Sequence, residues 1–177
     1  KALTLLKATL PSEVTNVAME FNTSNAFFDF NRIKMICRLI DERYPDYENV
    51  IPVDNENNVT IGKAELLSSL KRIAIYANKT THQVRLKITG SELMISSEDL
   101  DFSNEANERL VCEHDGEDIE IGFNAKFLIE MLGNISSDQL TFKLSAPNRA
   151  GLIEPSNKNE NEDILMLVMP VMLNNYV

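Results

Sequence analysis

The sequence predicts an α+β fold in which a β-α-β-β-β unit is repeated and two helices pack on antiparallel sheets in each domain. Three observations predict it: short strands with alternating apolar residues, a few amphipathic helices, and a pattern of both that recurs with a period of roughly 60 residues. The chain has 177 residues, of which 44% are hydrophobic and 25% charged. This composition is typical of a globular protein, and the length suffices for one ordinary domain and part of another.

The first 52 residues match this unit without its first strand. Leu3, Leu6 and Leu10 fall on one face of a predicted helix over 1–10, which Pro11 ends. A chain that begins inside an amphipathic helix is expected to be a segment of a longer one. Strands are predicted near 14–21, 26–30 and 33–40, and the polar run 54–58 is predicted to be a linker.

The first full copy of the unit begins with a short strand over 59–62. A helix from Lys63 to Ala77 follows, with apolar residues at helical spacing. Three strands are predicted next, at 84–88, 93–97 and 109–113.

The second copy begins at Ile119, and an Ile-Gly pair precedes the helix in both copies. Asn124 is a suitable N-cap, with Phe123 and Leu128 placed as a hydrophobic staple, and Gly133 is predicted to be the C′ residue. Strands are predicted to follow at 140–144, 151–154 and 164–169.

The last apolar stretch, 164–173, nearly reaches the C-terminus, where chains are usually polar. Pro170 cannot donate to a sheet, so the strand should stop there and leave Val171, Met172 and Leu173 near the surface. Apolar residues in such a place often line a groove for another molecule, and methionine adapts to varied partners. The alternative is a C-terminal strand with an apolar end.

The run from Arg38 to Pro52, RLIDERYPDYENVIP, resembles the bacterial sliding clamp, the β subunit of DNA polymerase III. The IGFN motif at Ile121–Asn124 and the ending Met169-Pro170-x-x-Leu173 agree with it. The resemblance covers essentially the whole chain and implies the DNA-clamp fold. It implies that residues 1–52 are the second half of the middle domain and that 53–177 are a complete third domain.

The resemblance also implies a function. Full-length clamps are ring-shaped homodimers that encircle duplex DNA without sequence preference and give DNA polymerase its processivity. They have no catalytic site and need no cofactor. Polymerase subunits, the clamp loader and repair proteins bind them through short peptide motifs, which enter a hydrophobic pocket between the middle and third domains.

Position by position, the resemblance implies a set of pocket residues: Pro45, Val50, Asn124, Phe127, Asn148, Ala150, Leu167, Val168, Met169, Pro170, Val171, Met172 and Leu173. Asn148 replaces an apolar residue, Met172 replaces a frequent Arg, and Asn49 stands where some members have Arg. A tail over 174–177 runs past the usual end. These departures concern the preferred peptide.

The resemblance also suggests two further surfaces. Basic residues on the polar sides of the three helices would face DNA: Lys1, Lys7, Lys71, Arg72 and Lys126. The alternative is a solvated helix face. The subunit contact would include Ile75 and Tyr76, with acidic residues Glu98, Asp99, Asp101, Glu105 and Glu108. For Ile75 and Tyr76, the alternative is a local core under a loop.

Other classes of protein have little support in the sequence. His82 and His114 have no second histidine at ligand spacing, acidic turns complete no EF-hand, and there is no phosphate-binding loop or nucleophile elbow. The net charge of −10 argues against a protein that coats nucleic acid through overall basicity, but it permits a local basic face. No apolar run could span a membrane. Cys37 and Cys112 are predicted to be reduced core residues of a cytoplasmic protein. A peptide-binding module that never meets DNA is the alternative function.

Overall fold

The computed structural model describes residues 2–13, 15–158 and 160–173. It contains two compact units, Lys1–Asp46 and Tyr47–Val177. The predicted domain boundary, after residue 52, lies a few residues further along the chain and stays a prediction.

The first unit is one helix and a three-stranded antiparallel sheet in the order β1-β2-β3. Its elements are α1 (Ala2–Thr9), β1 (Ala18–Phe21), β2 (Asn25–Phe30) and β3 (Ile33–Arg38). Leu6 packs with Phe28 and Phe30 in a small core. Leu3 was predicted to lie on the buried apolar face of the helix, and this is wrong because Leu3 is exposed. The predicted first strand began at Val14, which lies outside the described residues, and the observed strand is shorter.

The second unit contains two helices and nine strands among the described residues. The elements of its first copy are β4 (Asn57–Gly62), α2 (Lys63–Ile73), β5 (Gln83–Thr89), β6 (Glu92–Asp99), β7 (Asn104–Val111) and β8 (Glu113–Asp115). The elements of its second copy are β9 (Ile119–Asn124), α3 (Ala125–Gly133), β10 (Gln139–Leu144), β11 (Gly151–Pro155) and β12 (Met166–Val168). Short 3-10 helices cover Glu48–Val50 and Ala74–Tyr76.

The two copies interlock, because the first strand of each pairs with strands of the other. β4 pairs with β10 of the second copy, in a sheet ordered β12-β11-β10-β4-β8. β9 pairs with β5 of the first copy, in a sheet ordered β7-β6-β5-β9. All of these pairings are antiparallel, as predicted. One copy alone could therefore complete neither sheet.

The helices α2 and α3 pack side by side and close one core with the two sheets. Leu66 and Leu70 of α2 and Leu128 and Leu132 of α3 are fully buried there. Burying a leucine side chain stabilises a fold by about 1.5–3 kcal/mol. The leucine spacing that predicted the helices thus supplies the core.

Several predicted bounds and one cap are wrong. The helix predicted over 63–77 ends at Ile73 and continues as a 3-10 turn, and β7 begins at Asn104 rather than Arg109. Strand β8 was not predicted. Gly133 is the last residue of α3 and has no positive φ, so it is not a left-handed C′ residue. Cys112 is buried, which raises the pKa of its thiol, and Cys37 is half-buried; both are free.

Candidate functional site

The C-terminal segment, residues 169–173, is held against strand β9 after it leaves the sheet. Strand β12 ends at Val168, before Pro170, as predicted from the missing N–H of proline. Two residues after the start of the segment, the Val171 amide N donates to the Gly122 carbonyl O at 2.8 Å. This antiparallel bridge places the segment beside the strand that leads into α3.

Side chains of this region alternate in their exposure. Val168 is 4% exposed and belongs to the core, so its side chain does not reach the surface at the predicted pocket. Met169 and Met172 are 63% and 69% exposed. Leu167, Pro170, Val171 and Leu173 are half-buried. The result is an anchored backbone that presents two flexible thioether side chains to solvent, which suits a surface for apolar ligands.

Helix α3 begins directly after β9, the strand that holds this segment. Asn124 caps the helix as predicted: its Oδ1 accepts from the Lys126 and Phe127 amides at 3.0 and 3.4 Å. Its Nδ2 donates to the Thr81 carbonyl at 3.1 Å. Phe127, in the first turn, is 59% exposed. The capping role is sufficient to explain an asparagine at position 124. Phe127 adds exposed apolar area to this region.

The loop from Ser145 to Ala150 is fixed by the segment that precedes β4. Asn55 Nδ2 donates to the carbonyls of Lys143 and Ala150, each at 2.9 Å, and Arg149 forms an ion pair with Asp54. Gly151 stands opposite Val168 in the sheet, so Ala150 and the C-terminal segment leave it at the same end. Asn148 is exposed. In the sequence, the residues that fix this loop belong to the polar run 54–58, which was predicted only to be a linker.

Apart from Asn148, Leu167 and Val168, the predicted pocket residues thus fall into two groups. Asn124, Phe127, Ala150 and residues 169–173 are brought to one region of the second unit by the β9 and β11 contacts. Val50 lies in the 3-10 helix Glu48–Val50 and is exposed. Pro45 is an exposed residue of the first unit. The role of each of these residues in a pocket stays a prediction.

The predicted basic face contains an ion pair that was not predicted from the sequence. Arg72 Nε and Nη2 donate to the two carboxylate oxygens of Glu108 at 2.7 and 2.6 Å, which joins α2 to β7. The hydrogen bond to Arg72 is the main cause that lowers the pKa of Glu108, and the same bond raises the pKa of Arg72. Lys7, Lys71 and Lys126 are exposed. Lys1 lies outside the described residues.

The pair combines a residue predicted to face DNA with one predicted to be at the subunit contact. Bidentate Arg–carboxylate geometry is the stronger form of such a contact, although exposed pairs stabilise little. Within the described residues, Lys71 and Lys126 form no ion pair that would offset their charge in the same way. The positive charge available on these helices is therefore carried mainly by the lysines.

Strand β7 is an edge of its sheet, and apolar side chains lie exposed near it. Ile75 is 66% exposed and Tyr76 is also exposed, so the alternative of a local core under a loop is wrong. Glu98 stands directly opposite Glu105, and Asp101 is exposed. Asp99 differs from the prediction: it is buried, and its Oδ1 accepts from the Asp101 amide. It therefore shapes the turn, and its side chain is not presented at the surface.

Leu100 and Phe102, at the tip of the β6–β7 hairpin, are exposed and were missed. Their signal was visible in the sequence as two large apolar residues in an acidic turn. A cleft of about 440 Å³ opens beside this hairpin, and its lining includes Asn78, Arg85, Glu98, Asp101, Glu105 and Asn107. None of the residues predicted for the peptide pocket lines it.

The described residues contain neither a cluster of metal-ligating side chains nor a helix that could span a membrane. Across residues 2–13, 15–158 and 160–173, no three His, Cys, Asp or Glu side chains gather closely enough to hold a metal ion. The helices in the same part of the chain are too short or too polar to cross a membrane. His114 lies in β8, opposite Val59.

Comparison with known families decides the assignment. The family model for the C-terminal domain of the DNA polymerase III beta subunit matches residues 48–172. The chain belongs to the DNA polymerase III beta-subunit family, the bacterial sliding clamps. The match contains the C-terminal segment up to Met172 and both copies of the repeat in the second unit.

Relatives of this clamp family agree. The beta sliding clamp of Pseudomonas aeruginosa is 32% identical over 136 residues, 77% of this chain and 36% of the relative. That of Vibrio cholerae is 30% identical over 158 residues, 89% of this chain and 42% of the relative. The chain therefore spans less than half the length of the curated relatives that it matches.

Solved structures confirm the clamp fold. A sliding clamp from Pseudomonas aeruginosa superposes with a TM-score of 0.90 at 27% identity, over 97% of this chain and 46% of that one. A sliding clamp from Bartonella birtlesii bound to griselimycin gives a TM-score of 0.86 at 28% identity, over 96% and 44%. The predicted α+β clamp architecture is thus confirmed.

Proposed function

We propose that this chain is part of a DNA polymerase processivity factor. In this proposal the full-length protein is a ring-shaped, non-catalytic, cytoplasmic clamp that encircles duplex DNA. It tethers polymerase subunits, the clamp loader and repair proteins, whose short peptide motifs bind a hydrophobic pocket. The C-terminal segment forms one wall of that pocket.

One observation carries the proposal: the C-terminal segment has a fixed backbone and exposed side chains. Its main chain is bound to Gly122, whereas Met169 and Met172 project into solvent. A surface segment with no partner would be expected to place its apolar side chains inward. Exposed apolar side chains on a held backbone instead favour a ligand that covers them.

The test is an NMR titration of the isotope-labelled chain with a peptide that begins with glutamine and ends with leucine and phenylalanine. We expect saturable shifts at Phe127, Met169 and Met172. The variant Met169→Ala should lose them. Met19→Ala is the matched control, because Met19 is comparably exposed but lies on β1 of the first unit. Griselimycin, the ligand of the Bartonella relative, is a second probe.

The absence of shifts with both probes at millimolar concentration would contradict the proposal. So would shifts that are equally lost in Met19→Ala and Met169→Ala, since they would indicate a general effect on the fold. Shifts confined to the cleft beside the β6–β7 hairpin would relocate the site.

The alternative, a peptide-binding module that does not encircle DNA, is favoured by the Arg72–Glu108 pair, which neutralises one cation of the predicted basic face. The decisive variant is Lys71→Glu with Arg72→Glu in a full-length clamp that contains this sequence. Loss of retention on circular DNA would support encirclement. Lys87→Glu, an exposed position on β5, is the control and should retain DNA.

We further infer that the full-length protein is a homodimer and that residues 1–52 are half of a domain. The subunit contact would use the β7 edge, Ile75 and Tyr76, which are unpartnered within the described residues. In the first unit, Phe21 of β1 and Ile36 of β3 are exposed on a small sheet, which favours coverage by another element. Sedimentation of the full-length protein with Ile75→Asp should show monomers if this contact is correct.

A further inference from the structure

Gly122 lies in close contact with the C-terminal segment. A Cβ atom built on Gly122 would lie 2.5 Å from the carbonyl oxygen of Val171 and 2.7 Å from Cδ2 of Leu173. Carbon atoms of side chains do not approach other heavy atoms this closely. Any residue other than glycine would therefore displace the segment.

The requirement comes from this contact and not from the backbone conformation. Among the described glycines, only Gly90 and Gly116 have a positive φ. Gly62, which follows isoleucine like Gly122, has only the flexible carboxylate end of Glu65 nearby, at 3.8 Å. Gly133 has no atom within 4 Å of an added Cβ. The close approach thus distinguishes Gly122 from Gly62, which has the same preceding residue in the sequence.

We propose that Gly122 is the positioning residue of the peptide site, because its missing side chain lets residues 169–173 lie flat on β9 and so sets where Met169 and Met172 point. The inference rests on the proposed function for its ligand. According to this inference, Gly122 sets the orientation of the pocket wall although it is not itself part of that wall.

The group displaced by a side chain at position 122 would be main chain, so the substitution would act on the position of the C-terminal segment. The Leu173 side chain can change rotamer, but the Val171 carbonyl can move only with its backbone. Pro170 restricts the backbone just before it, so a shift at Val171 is not readily absorbed there. The Val171–Gly122 hydrogen bond would break, and the two exposed methionines would change direction together.

The test compares Gly122→Ala with Gly133→Ala by NMR. In Gly122→Ala we expect faster hydrogen exchange at the Val171 amide and about tenfold weaker binding of the glutamine-to-phenylalanine peptide. In Gly133→Ala, the matched substitution in α3, both quantities should be unchanged. If Gly122→Ala keeps Val171 protected and binds the peptide within about twofold of the parent chain, the proposal is overturned.

A second pair of variants separates positioning from general folding. In a chain that ends at Pro170, alanine at position 122 meets no segment, so Gly122→Ala should leave the Tm unchanged or raise it. In the full chain the same substitution should lower the Tm. An equal loss in both chains would overturn the proposal. If the parent chain binds no peptide, the proposed function fails, while Val171 exchange and the Tm comparison still decide the role of Gly122.

Discussion

The two copies of the repeat in the second unit share one core and differ at their edges. They align when the N-caps of their helices are matched, Gly62 of α2 with Asn124 of α3. The buried pairs that result are Val59 with Ile121, Ile61 with Phe123, Leu66 with Leu128, Leu70 with Leu132 and Ile73 with Ile135. These five core positions are thus apolar in both copies.

The difference lies in what borders the first strand of each copy. In this alignment Thr60 matches Gly122. Thr60 stands between Thr141 and Glu113 in a complete sheet, and its hydroxyl is 3.2 Å from that of Thr141. Gly122 stands between Arg85 and the Val171 bridge. Shared cores therefore keep the fold, while the free edge of β9 allows one copy to hold a candidate binding segment.

The largest expected effect tests the shared core. Leu66→Ala and Leu128→Ala occupy matched positions and should each reduce the free energy of unfolding by about 2–5 kcal/mol, because each leaves a cavity. Urea denaturation followed by circular dichroism measures both. A loss below about 1 kcal/mol at either position would mean that the copies are not equivalent in the core.

The helix caps sharpen the comparison, since α3 has a side-chain cap and α2 has none. Asn124→Ala should cost about 1 kcal/mol, because two amides at the start of α3 lose their acceptor. Asn124→Asp is the control: it keeps the acceptor and loses only the bond to Thr81. Gly62→Asn should instead add a few tenths of a kcal/mol to the first copy. Equal Tm values for Asn124→Ala and Asn124→Asp would contradict this account.

The features that could be predicted from the sequence are local, and those that could not depend on contacts between distant parts of the chain. The Asn124 cap could be predicted because it depends on a spacing of a few residues. The exchange of β4 and β9 between copies could not, since it depends on pairing over long separations in the chain. The Val171–Gly122 bridge and the Arg72–Glu108 pair were missed for the same reason.

The Ile-Gly pair shows how a local pattern can mislead. Both copies contain it before the helix, but Gly62 is itself the cap of α2, whereas Gly122 lies two residues before the cap of α3. Matching the glycines would have paired residues with different surroundings. The positions of the buried leucines give the correct alignment, because packing constrains them in both copies.

Charges on the sheets provide a smaller effect. Glu98 and Glu105 are opposed in the hairpin of the first copy, whereas Lys143 and Glu154 form an ion pair of 2.9 Å in the second. Glu98→Gln should therefore raise the free energy of unfolding by about 0.2–1 kcal/mol at low salt. Glu154→Gln should lower it. The gain in Glu98→Gln should shrink as salt is added; a gain that persists at high salt would show a cause other than repulsion.

The smallest expected effect concerns the Arg72–Glu108 pair, which only the first copy has, because Asn134 matches Arg72 in the alignment. The pKa of Glu108 is lowered by Arg72 in the folded chain. The pair therefore contributes stability above the ordinary pKa of a glutamate, and this contribution is lost as pH falls through the lower, folded pKa. In Arg72→Gln, NMR titration of the Glu108 carboxyl should show the pKa rising toward its ordinary value. The stability of this variant should converge with that of the parent chain in acid. If the pKa of Glu108 does not move, the pair is absent in solution, and Arg72 is then available to the basic face together with Lys71.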